Sequence, residues 1–260
     1  MYFGDEKLFS KEMLDSIEIS KNFPHSYIQF GNIIKEYFNS DENRNHSNDS
    51  LEYGNWEEIK LLDLEDKNKD FFEVHRHRHS SRIFQNIMDL QDLSNLLQGA
   101  YYFINDHKRN FPAAGGVYSI DVYFINLNIS DLEKGIYVFD PEKKVLLKKP
   151  LLKKYYQNDF YKCINKSFPI SSDKHIDFDN ASGIIVFGSM FNKLALKYRN
   201  RGFRMGMIEA GALMQNFYLS ASYYNIGCCA YYAYFDDNLA EFLSLNPPYE
   251  MVSLVLIIGK

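Results

Sequence analysis

The feature that most constrains the fold is a long apolar segment late in the chain. Residues from Met205 to about Asn225 have a helical composition, are apolar almost all round, and end just before Gly227. A helix that is apolar on every side is typical of a protein core. We therefore predict a central helix over this segment, with the other elements packed around it.

Short strands and helices surround this segment in the sequence. Val122–Leu127, Gly183–Phe187 and Val252–Ile258 have the apolar character of buried strands, and Gly135–Leu147 predicts a hairpin whose turn contains a proline. Leu93–Tyr101 carries apolar residues at helical spacing. Strands and helices do not alternate regularly, so a doubly wound parallel sheet is not favoured. The order favours an α+β fold with a sheet around the central helix.

Composition excludes several classes of protein. The chain has 260 residues, of which 46% are apolar and 24% charged, so it can form a folded core. A net charge of -5 argues against a nucleic-acid-binding protein. No apolar run approaches the roughly 20 residues of a membrane-spanning helix. The odd count of 3 cysteines is a poor disulfide framework. We expect a cytoplasmic protein with no nucleic-acid or membrane partner.

The chain is predicted to have two parts. Asn39–Asn55 is rich in Asn, Asp, Ser and Glu and has almost no apolar residues, which is typical of a linker. Apolar residues at helical spacing precede it. We therefore predict a small helical extension and polar linker at residues 1–70 and the main domain at residues 71–260.

The stretch His75–Arg82 alternates histidine and arginine and then carries two serines. Arginine forks, a hydroxyl and loop amides suit a phosphate. A solvated basic turn is the second interpretation. As a strand, His75, His77 and His79 would share a face and could bind zinc. No cysteine or carboxylate follows at ligand spacing, so we expect no metal.

Two further stretches have the composition of ligand sites. Pro112–Tyr118 contains small residues and a glycine pair, which let the backbone approach a ligand closely. Lys197–Arg204 places four cations at what we expect to be the start of the central helix, where the helix dipole repels them unless an anion lies between them. The adjacent Lys197 and Tyr198 could serve as a proton-transfer pair. Each stretch alone also fits an ordinary loop.

Taken together, these stretches resemble one family. Arg78–Phe84 is similar to the opening signature of FMN-dependent nitroreductases, and Pro112–Tyr118 is similar to a Pro-Ser-Ala-Gly-Gly-Leu-Tyr-Pro loop of their SagB-type branch. The hairpin Gly135–Pro141 and the segment Lys197–Gly211 resemble further motifs of that branch, in the same order. The resemblance covers about residues 70–260. The Lys-Tyr pair is typical of the azoline dehydrogenases of thiazole- and oxazole-modified peptide pathways.

The resemblance implies a nitroreductase-like α+β fold, with a mostly antiparallel sheet around a buried core helix and helices on both sides. It also implies a homodimer with one FMN in each of two interface sites. Arg78, Ser80 and Arg82 would hold the phosphate, the ribityl chain and the pyrimidine edge, and residues 112–116 would line the flavin from across the dimer. The residues expected to bind FMN are Arg78, His79, Ser80, Arg82, Pro112, Ala113, Ala114, Gly115, Gly116, Arg201, Arg204, Ala233 and Tyr234.

Two residues of the loop depart from the pattern of the branch. Ala113 and Ser119 stand where Ser and Pro are usual, so one hydrogen bond to the flavin is expected to be lost. The phosphate is expected to be neutralised by the internal arginines or by Lys260.

The resemblance further implies that Lys197 and Tyr198 are catalytic. The reaction would be the two-electron oxidation of peptide thiazolines or oxazolines to azoles during maturation of a bacteriocin- or toxin-type peptide. An unperturbed tyrosine has a pKa near ~10, and an adjacent ammonium lowers it, so Tyr198 is the expected base. The expected partners are a precursor peptide that carries azoline rings and a cyclodehydratase complex.

Three other functions remain open from the sequence. One is an NAD(P)H-dependent nitro or quinone reductase, and another is a reductase of dehydroamino acids. The third is a non-catalytic subunit of a heterocycle synthetase complex. The Lys197-Tyr198 pair argues against the first, because the reduction of flat acceptors needs no dedicated base.

Overall fold

The computed structural model describes residues 56–105, 108–150, 160–170, 175–199, 201–247 and 249–260. The predicted N-terminal helices and the predicted linker at 39–55 lie outside the described residues. Within the described ranges the helices are α1 (Phe71–His77), α2 (Leu90–Ala100), α3 (Phe160–Ser167), α4 (Phe191–Tyr198), α5 (Arg201–Tyr224) and α6 (Asp236–Leu243). The strands are β1 (Glu57–Lys60), β2 (Phe103–Asn105), β3 (Lys108–Arg109), β4 (Ile120–Asn126), β5 (Gly135–Asp140), β6 (Val145–Lys149), β7 (Gly183–Met190), β8 (Gly227–Tyr231) and β9 (Glu250–Gly259).

Seven strands form one sheet in the order β1-β6-β5-β4-β7-β9-β8. Every pair in this sheet is antiparallel. The strands β2 and β3 form a separate two-stranded ribbon. The predicted strands are β4, β7 and β9, and the predicted hairpin is β5–β6. The prediction of an α+β fold with an antiparallel sheet is therefore confirmed.

Each face of the sheet has its own hydrophobic core, because successive side chains of a strand point to opposite faces. On one face Phe187 and Leu256 belong to the cluster that contains Phe217 of α5 and residues of α2. On the other face Val186 belongs to the cluster that contains Phe160 of α3 and residues of α6. Helices thus cover both sides of the sheet.

Helix α5 is the predicted central helix. It begins at Arg201, before the predicted start at Met205. It packs closely on α2, since a Cβ added at Gly99 would lie 2.5 Å from the Oγ of Ser220. Its face away from the sheet and α2 keeps an apolar side chain at the surface, because Ile208 is 71% exposed. In a single chain, α5 is therefore buried along part of its circumference only.

Helix α4 is absent from the sequence predictions. Its first turn has no side-chain cap, because the N-cap residue is Met190, so the usual sequence signal of a helix start is missing. Arg199 has a φ of 50° and turns the chain sharply into α5. The sequence analysis placed Lys197 at the start of the central helix, and this is wrong. Lys197 lies in the last turn of α4, where the helix dipole favours a cation.

The segment before residue 70 is attached to the main domain over its described part. Strand β1 pairs with β6 at the edge of the sheet. The N–H of Leu62 donates to the Oγ of Ser94 at 3.0 Å, and the N–H of Lys67 donates to the hydroxyl of Tyr223 at 3.0 Å. The domain division at residue 70 stays a prediction. In the described ranges, no helix is both long and apolar enough to cross a bilayer.

The close contact of α2 with α5 predicts the effect of a single methyl group. Gly99→Ala would push into Ser220 and should lower the free energy of unfolding by about 1–3 kcal/mol. Chemical denaturation of both proteins measures the difference. Gly135→Ala is the control, because its Cβ would meet an ordinary contact of 3.8 Å with Tyr137, and it should change stability by less than about 0.5 kcal/mol. Equal effects of the two substitutions would contradict the close helix packing.

Candidate active site

Two of the predicted stretches meet at Gly115. The Nζ of Lys197 donates to the carbonyl oxygen of Gly115 at 3.3 Å. A Cβ added at Gly115 would overlap the hydroxyl of Tyr198 and lie 2.5 Å from the Nζ of Lys197. The same Nζ lies 5.5 Å from the centre of the Tyr198 ring. The chain therefore places an ammonium, a phenol and a bare glycine backbone together, and we call these three residues the Lys197–Tyr198 corner.

The loop that carries Gly115 is held in an unusual conformation. Ala114–Gly116 forms one 3-10 turn, and Gly115 and Gly116 have φ values of 59° and 70°. Tyr118 has a φ of 49°, which costs energy in a residue with a side chain. Glycine is needed at 115 for its conformation and for the space that Tyr198 fills. Such a strained loop persists only if its surroundings hold it.

One anchor of the loop is a buried carboxylate. The N–H of Ser119 donates to the Oε1 of Glu209 at 2.6 Å, and the Oγ of Ser119 donates to Oε2 at 3.2 Å. Glu209 is 1% exposed. Burial raises the pKa of Glu209 to about 7, although the hydrogen bonds from Ser119 and Ile120 and the nearby charge of Arg109 act in the opposite direction.

This raised pKa has a consequence for stability. The folded state holds the proton of Glu209 more tightly than the unfolded state does. The contribution of Glu209 to the free energy of unfolding is therefore fully present at acidic pH and is lost as the pH rises to about 7. The ionised form is the one that accepts both hydrogen bonds from Ser119.

The second anchor of the loop is Arg109 on β3. Its N–H donates to the hydroxyl of Tyr118 at 2.9 Å, and its guanidinium carbon lies 4.6 Å from the centre of the Tyr118 ring. The rings of Tyr101 and Phe103 flank the same guanidinium at 5.1 and 4.4 Å. This cation–π cage holds Tyr118, which lies between the glycine pair and Ser119.

The predicted phosphate stretch comes together around a tyrosine of α5. The hydroxyl of Tyr218 lies 3.0 Å from the Oγ of Ser80 and accepts the N–H of Ala230 at 2.7 Å. The guanidinium carbon of Arg78 lies 5.2 Å from the centre of the Tyr218 ring. The N–H of Ser81 donates to the carbonyl of Cys228 at 3.0 Å. We call Arg78–Arg82 with Tyr218 the Ser80–Tyr218 cluster.

The histidines of this stretch do not form the strand of the zinc interpretation. His75 and His77 belong to helix α1, so they do not share a face. The ring of His79 spans its own loop, with Nδ1 2.8 Å from the carbonyl of His77 and Nε2 2.8 Å from the Oγ of Ser81. A carbonyl can only accept, so Nδ1 carries the hydrogen. Over the described ranges, no three His, Cys, Asp or Glu side chains are grouped closely enough to bind a metal ion.

The cations that could bind a phosphate differ in whether a carboxylate already pairs with them. Neither Arg78 nor Arg82 forms an ion pair with a carboxylate of the described residues. Arg201 and Arg204 lie in the first turn of α5. The Nζ of Lys260 lies 3.0 Å from both carboxylate oxygens of Asp92, so its charge is already compensated within the chain. Neutralisation of a phosphate by the arginines or by Lys260 stays a prediction.

The remaining predicted site residues differ in their exposure to solvent. Pro112 and Gly116 are exposed, Ala113 and Ala114 are half-buried, and Ala233 is exposed beyond the end of β8. Tyr234 packs against the core on the α3 side of the sheet, and burial raises the pKa of its hydroxyl.

The vicinal cysteines have no features of a redox site. The side chains of Cys228 and Cys229 point to opposite faces of β8, since they belong to the two different cores. Burial raises the pKa of both thiols, and this disfavours the reactive thiolate. They act as small apolar residues, as their position in an apolar strand predicted.

The sequence analysis missed three residues of these groups, Glu209, Tyr218 and Arg109. Glu209 carried a usable signal, because a lone carboxylate in an apolar core helix must find hydrogen-bond donors. Tyr218 and Arg109 gave no comparable signal, because neither is an isolated charge in an apolar segment.

The comparison with protein families decides the identity of this fold. The model of the Nitroreductase family matches residues 75–260, well over half of the chain. The chain belongs to the nitroreductase family. Members of this family are flavin-dependent oxidoreductases that bind FMN. The chain is therefore an oxidoreductase of the nitroreductase superfamily.

Similar proteins agree with this assignment. A Methanocaldococcus jannaschii protein assigned as a nitroreductase is 23% identical over 80% of this chain and 98% of its own length. A structure from Ralstonia eutropha JMP134, also assigned as a nitroreductase, has a TM-score of 0.62 and 22% identity over 80% of this chain and 91% of the other. A chain of the Escherichia coli microcin synthetase McbBCD complex, with truncated pro-MccB17 bound, has a TM-score of 0.58 and 18% identity. That match covers 96% of this chain and 99% of the other. At these identities the structural likeness establishes the fold.

The Lys197–Tyr198 corner predicts a difference between two neighbouring glycines. Gly115→Ala and Gly116→Ala should each cost about 1–2 kcal/mol of stability, because both residues are left-handed. Only Gly115→Ala places a methyl group on Lys197 and Tyr198, since a Cβ at Gly116 has nothing within 4 Å. Gly115→Ala should therefore also free the Nζ of Lys197 and speed its acetylation by acetic anhydride. Mass spectrometry measures this rate, with the exposed Lys60 as reference. Equal rates in the two variants would contradict the contact.

Proposed function

We propose that this chain is an FMN-dependent dehydrogenase of peptide azolines, which converts thiazolines or oxazolines to thiazoles or oxazoles. The observation that carries the proposal is the Lys197–Tyr198 corner. A phenol and an ammonium meet there on the backbone of Gly115. An oxidation that removes a proton from carbon needs such a base, whereas the reduction of a flat acceptor does not.

The residues of the Ser80–Tyr218 cluster fit FMN. Arg78 and Arg82 are cations without a carboxylate partner among the described residues, and Ser80 adds a hydroxyl, which together suit a phosphate and a polar ring edge. Tyr218 fixes the loop through Ser80 and Ala230. Bound FMN would supply the two-electron oxidation. Electrons would then pass to O2.

We infer that a complete site needs two copies of the chain. The Lys197–Tyr198 corner lies next to the first turn of α5, while Tyr218 lies near its end. Arg201 and Tyr218 are separated along the helix by roughly 25 Å at 1.5 Å per residue. A two-fold partner with an antiparallel α5 would bring the corner of one subunit to the cluster of the other. Ile208 on α5 and Ile83 beside the cluster, 71% and 77% exposed, are apolar surface that such a dimer would bury.

Side chains of this protein could accept the proton that the azoline ring loses. Oxidation of an azoline to an azole removes two hydrogens from neighbouring ring carbons, and one of them leaves as a proton. The hydroxyl oxygen of Tyr198, as phenolate, would take this proton. The ammonium of Lys197 lies 5.5 Å from the centre of the Tyr198 ring and is itself oriented by the carbonyl of Gly115. The open space at Gly116, where an added Cβ would have nothing within 4 Å, leaves room for a flat ring.

The proposed substrate is a precursor peptide that already carries azoline rings. The support is the likeness of nearly the whole chain to a chain of the microcin synthetase complex, whose structure contains a truncated precursor. A cyclodehydratase that forms the azolines is the corresponding proposed partner. We place the enzyme in the cytoplasm, where such a peptide is made.

Removal of the base should stop the reaction without removal of the cofactor. Tyr198→Phe and Lys197→Ala should each lower azole formation by about 100-fold or more, because the proton has no acceptor of suitable strength. Both should keep the yellow colour of bound FMN. The measurement is the loss of about two mass units per ring from an azoline peptide, together with the flavin absorbance of the purified variants.

The matched controls for these variants are Tyr249→Phe and Lys60→Ala, which change the same residue types at exposed positions away from the corner. Both controls should retain the wild-type rate. Wild-type turnover by Tyr198→Phe or Lys197→Ala would exclude the base assignment. Rapid oxidation of NADH with turnover of nitroaromatics, and no azole formation, would instead favour the reductase alternative.

Mixed dimers test whether each site is shared between subunits. Arg82→Ala should lose FMN, because it removes a phosphate or ring contact. A hybrid of one Arg82→Ala subunit and one Lys197→Ala subunit has both defects in one site and none in the other, so it should regain about half of the wild-type activity per dimer. Co-expression with two different affinity tags isolates the hybrid. A hybrid of Lys197→Ala with Tyr198→Phe is the control and should stay inactive, because both sites remain defective. An inactive first hybrid would contradict the shared site.

A further inference from the structure

Three elements that determine the candidate site meet at the peptide groups of Ser119. Its N–H and Oγ donate to the carboxylate of Glu209 on α5. Its carbonyl accepts the N–H of Met190 at 2.8 Å. Met190 directly precedes α4, the helix that ends in Lys197 and Tyr198. On the other side, Ser119 follows the strained loop that contains Gly115.

Both ends of the Lys197–Tyr198 corner therefore depend on the same anchor. The carbonyl of Gly115 accepts a hydrogen bond from Lys197, so the position of the loop sets the position of the ammonium. The residue that precedes α4, Met190, is hydrogen-bonded to Ser119, so the position of Ser119 also determines where α4 begins. A shift of Ser119 would move the acceptor and the helix together. Displacements of about 1 Å are enough to cost a hundredfold in rate.

The anchor is built to resist displacement. Ser119 is 0% exposed and Glu209 is 1% exposed, so neither can exchange its partner for water. Ionised Glu209 accepts every donor that Ser119 offers, and a proline at position 119 could offer no N–H at all. Arg109 from β3 and Tyr101 from the end of α2 are the other charged or titratable groups whose electrostatic influence reaches Glu209.

We propose that Glu209 is a positioning residue, which acts through Ser119 to hold the loop and helix α4 so that Lys197 and Tyr198 face the substrate together. This inference rests on the proposed function of the corner. It concerns the geometry of the pair and assigns no proton transfer to Glu209 itself.

The test compares three substitutions in the full chain purified with FMN. Glu209→Gln keeps the shape of the side chain but removes its charge. Ser119→Ala keeps the N–H and removes only the weaker hydroxyl contact. Ser189→Ala is the matched control, because Ser189 is also 0% exposed but its Oγ has no hydrogen-bond partner among the described residues. Circular dichroism and the flavin absorbance confirm that each variant is folded and loaded.

The first readout is azoline oxidation. Glu209→Gln should lower kcat by about tenfold or more and leave KM within about twofold, because substrate contacts remain while the pair is misplaced. Ser119→Ala should lower kcat by a smaller factor in the same direction. Ser189→Ala should match the wild type. A wild-type kcat for Glu209→Gln overturns the proposal.

The second readout needs no activity. Hydrogen exchange of the Ser119 and Ile120 amides, corrected for the intrinsic rate, should be faster in Glu209→Gln, and acetylation of Lys197 relative to Lys60 should rise by about twofold or more.

The two readouts separate the proposals. If the wild type oxidises no azoline, but exchange and acetylation respond to Glu209→Gln as stated, the proposed function fails and the positioning role stands. If the wild type is active and Glu209→Gln leaves exchange and acetylation unchanged, the positioning role fails and the proposed function stands.

Discussion

The packing of helix α5 on the antiparallel sheet is the constraint on which the rest of the structure depends. Its inner side chains, such as Leu213 and Phe217, complete the core of one sheet face. It also presents polar side chains to two different loops, Glu209 to the glycine loop and Tyr218 to the arginine-serine loop. Both loops of the candidate site are therefore anchored on the same core helix. Loops that carry strain can keep one conformation here because a buried helix holds them.

Much of this architecture could be predicted from the sequence, because hydrophobic periodicity reports burial directly. Strands β4, β7 and β9, the β5–β6 hairpin and the central helix all follow from apolar runs and a turn proline. Helix α4 was missed because its start has no capping side chain, and β1 because four residues at a sheet edge give no alternation that stands out. The pairing order of the strands could not be predicted either, since β9 inserts between two strands that precede it in the chain.

The candidate site was predictable in a different way. The residue types and spacing of Lys197, Tyr198 and the Gly115 loop indicated chemistry, and the structure brings them into contact. The arginine-serine stretch likewise reaches β8 and α5. What the sequence could not reveal is the support behind these groups. The hydrogen bonds from Ser119 to Glu209 join residues 90 positions apart, and that pairing exists only after the sheet and α5 have packed. From the sequence, Ser119 is only a departure from the proline that is usual at this position. The fold shows that its N–H, which a proline lacks, donates a hydrogen bond to Glu209.

The place of β9 in the sheet has a consequence for folding of the chain. Strand β9 lies between β7 and β8, and the main chain at Lys260 accepts the N–H groups of Gln85 and Asn86 at 2.7 and 2.5 Å. As long as residues 250–259 are unpaired, β7 lacks a neighbour on one side and β8 has none. Partly folded chains therefore carry two bare apolar edges, which are templates for aggregation. The arginine-serine loop would also lack its support until β9 pairs between β7 and β8, so cofactor uptake must follow the pairing of this strand.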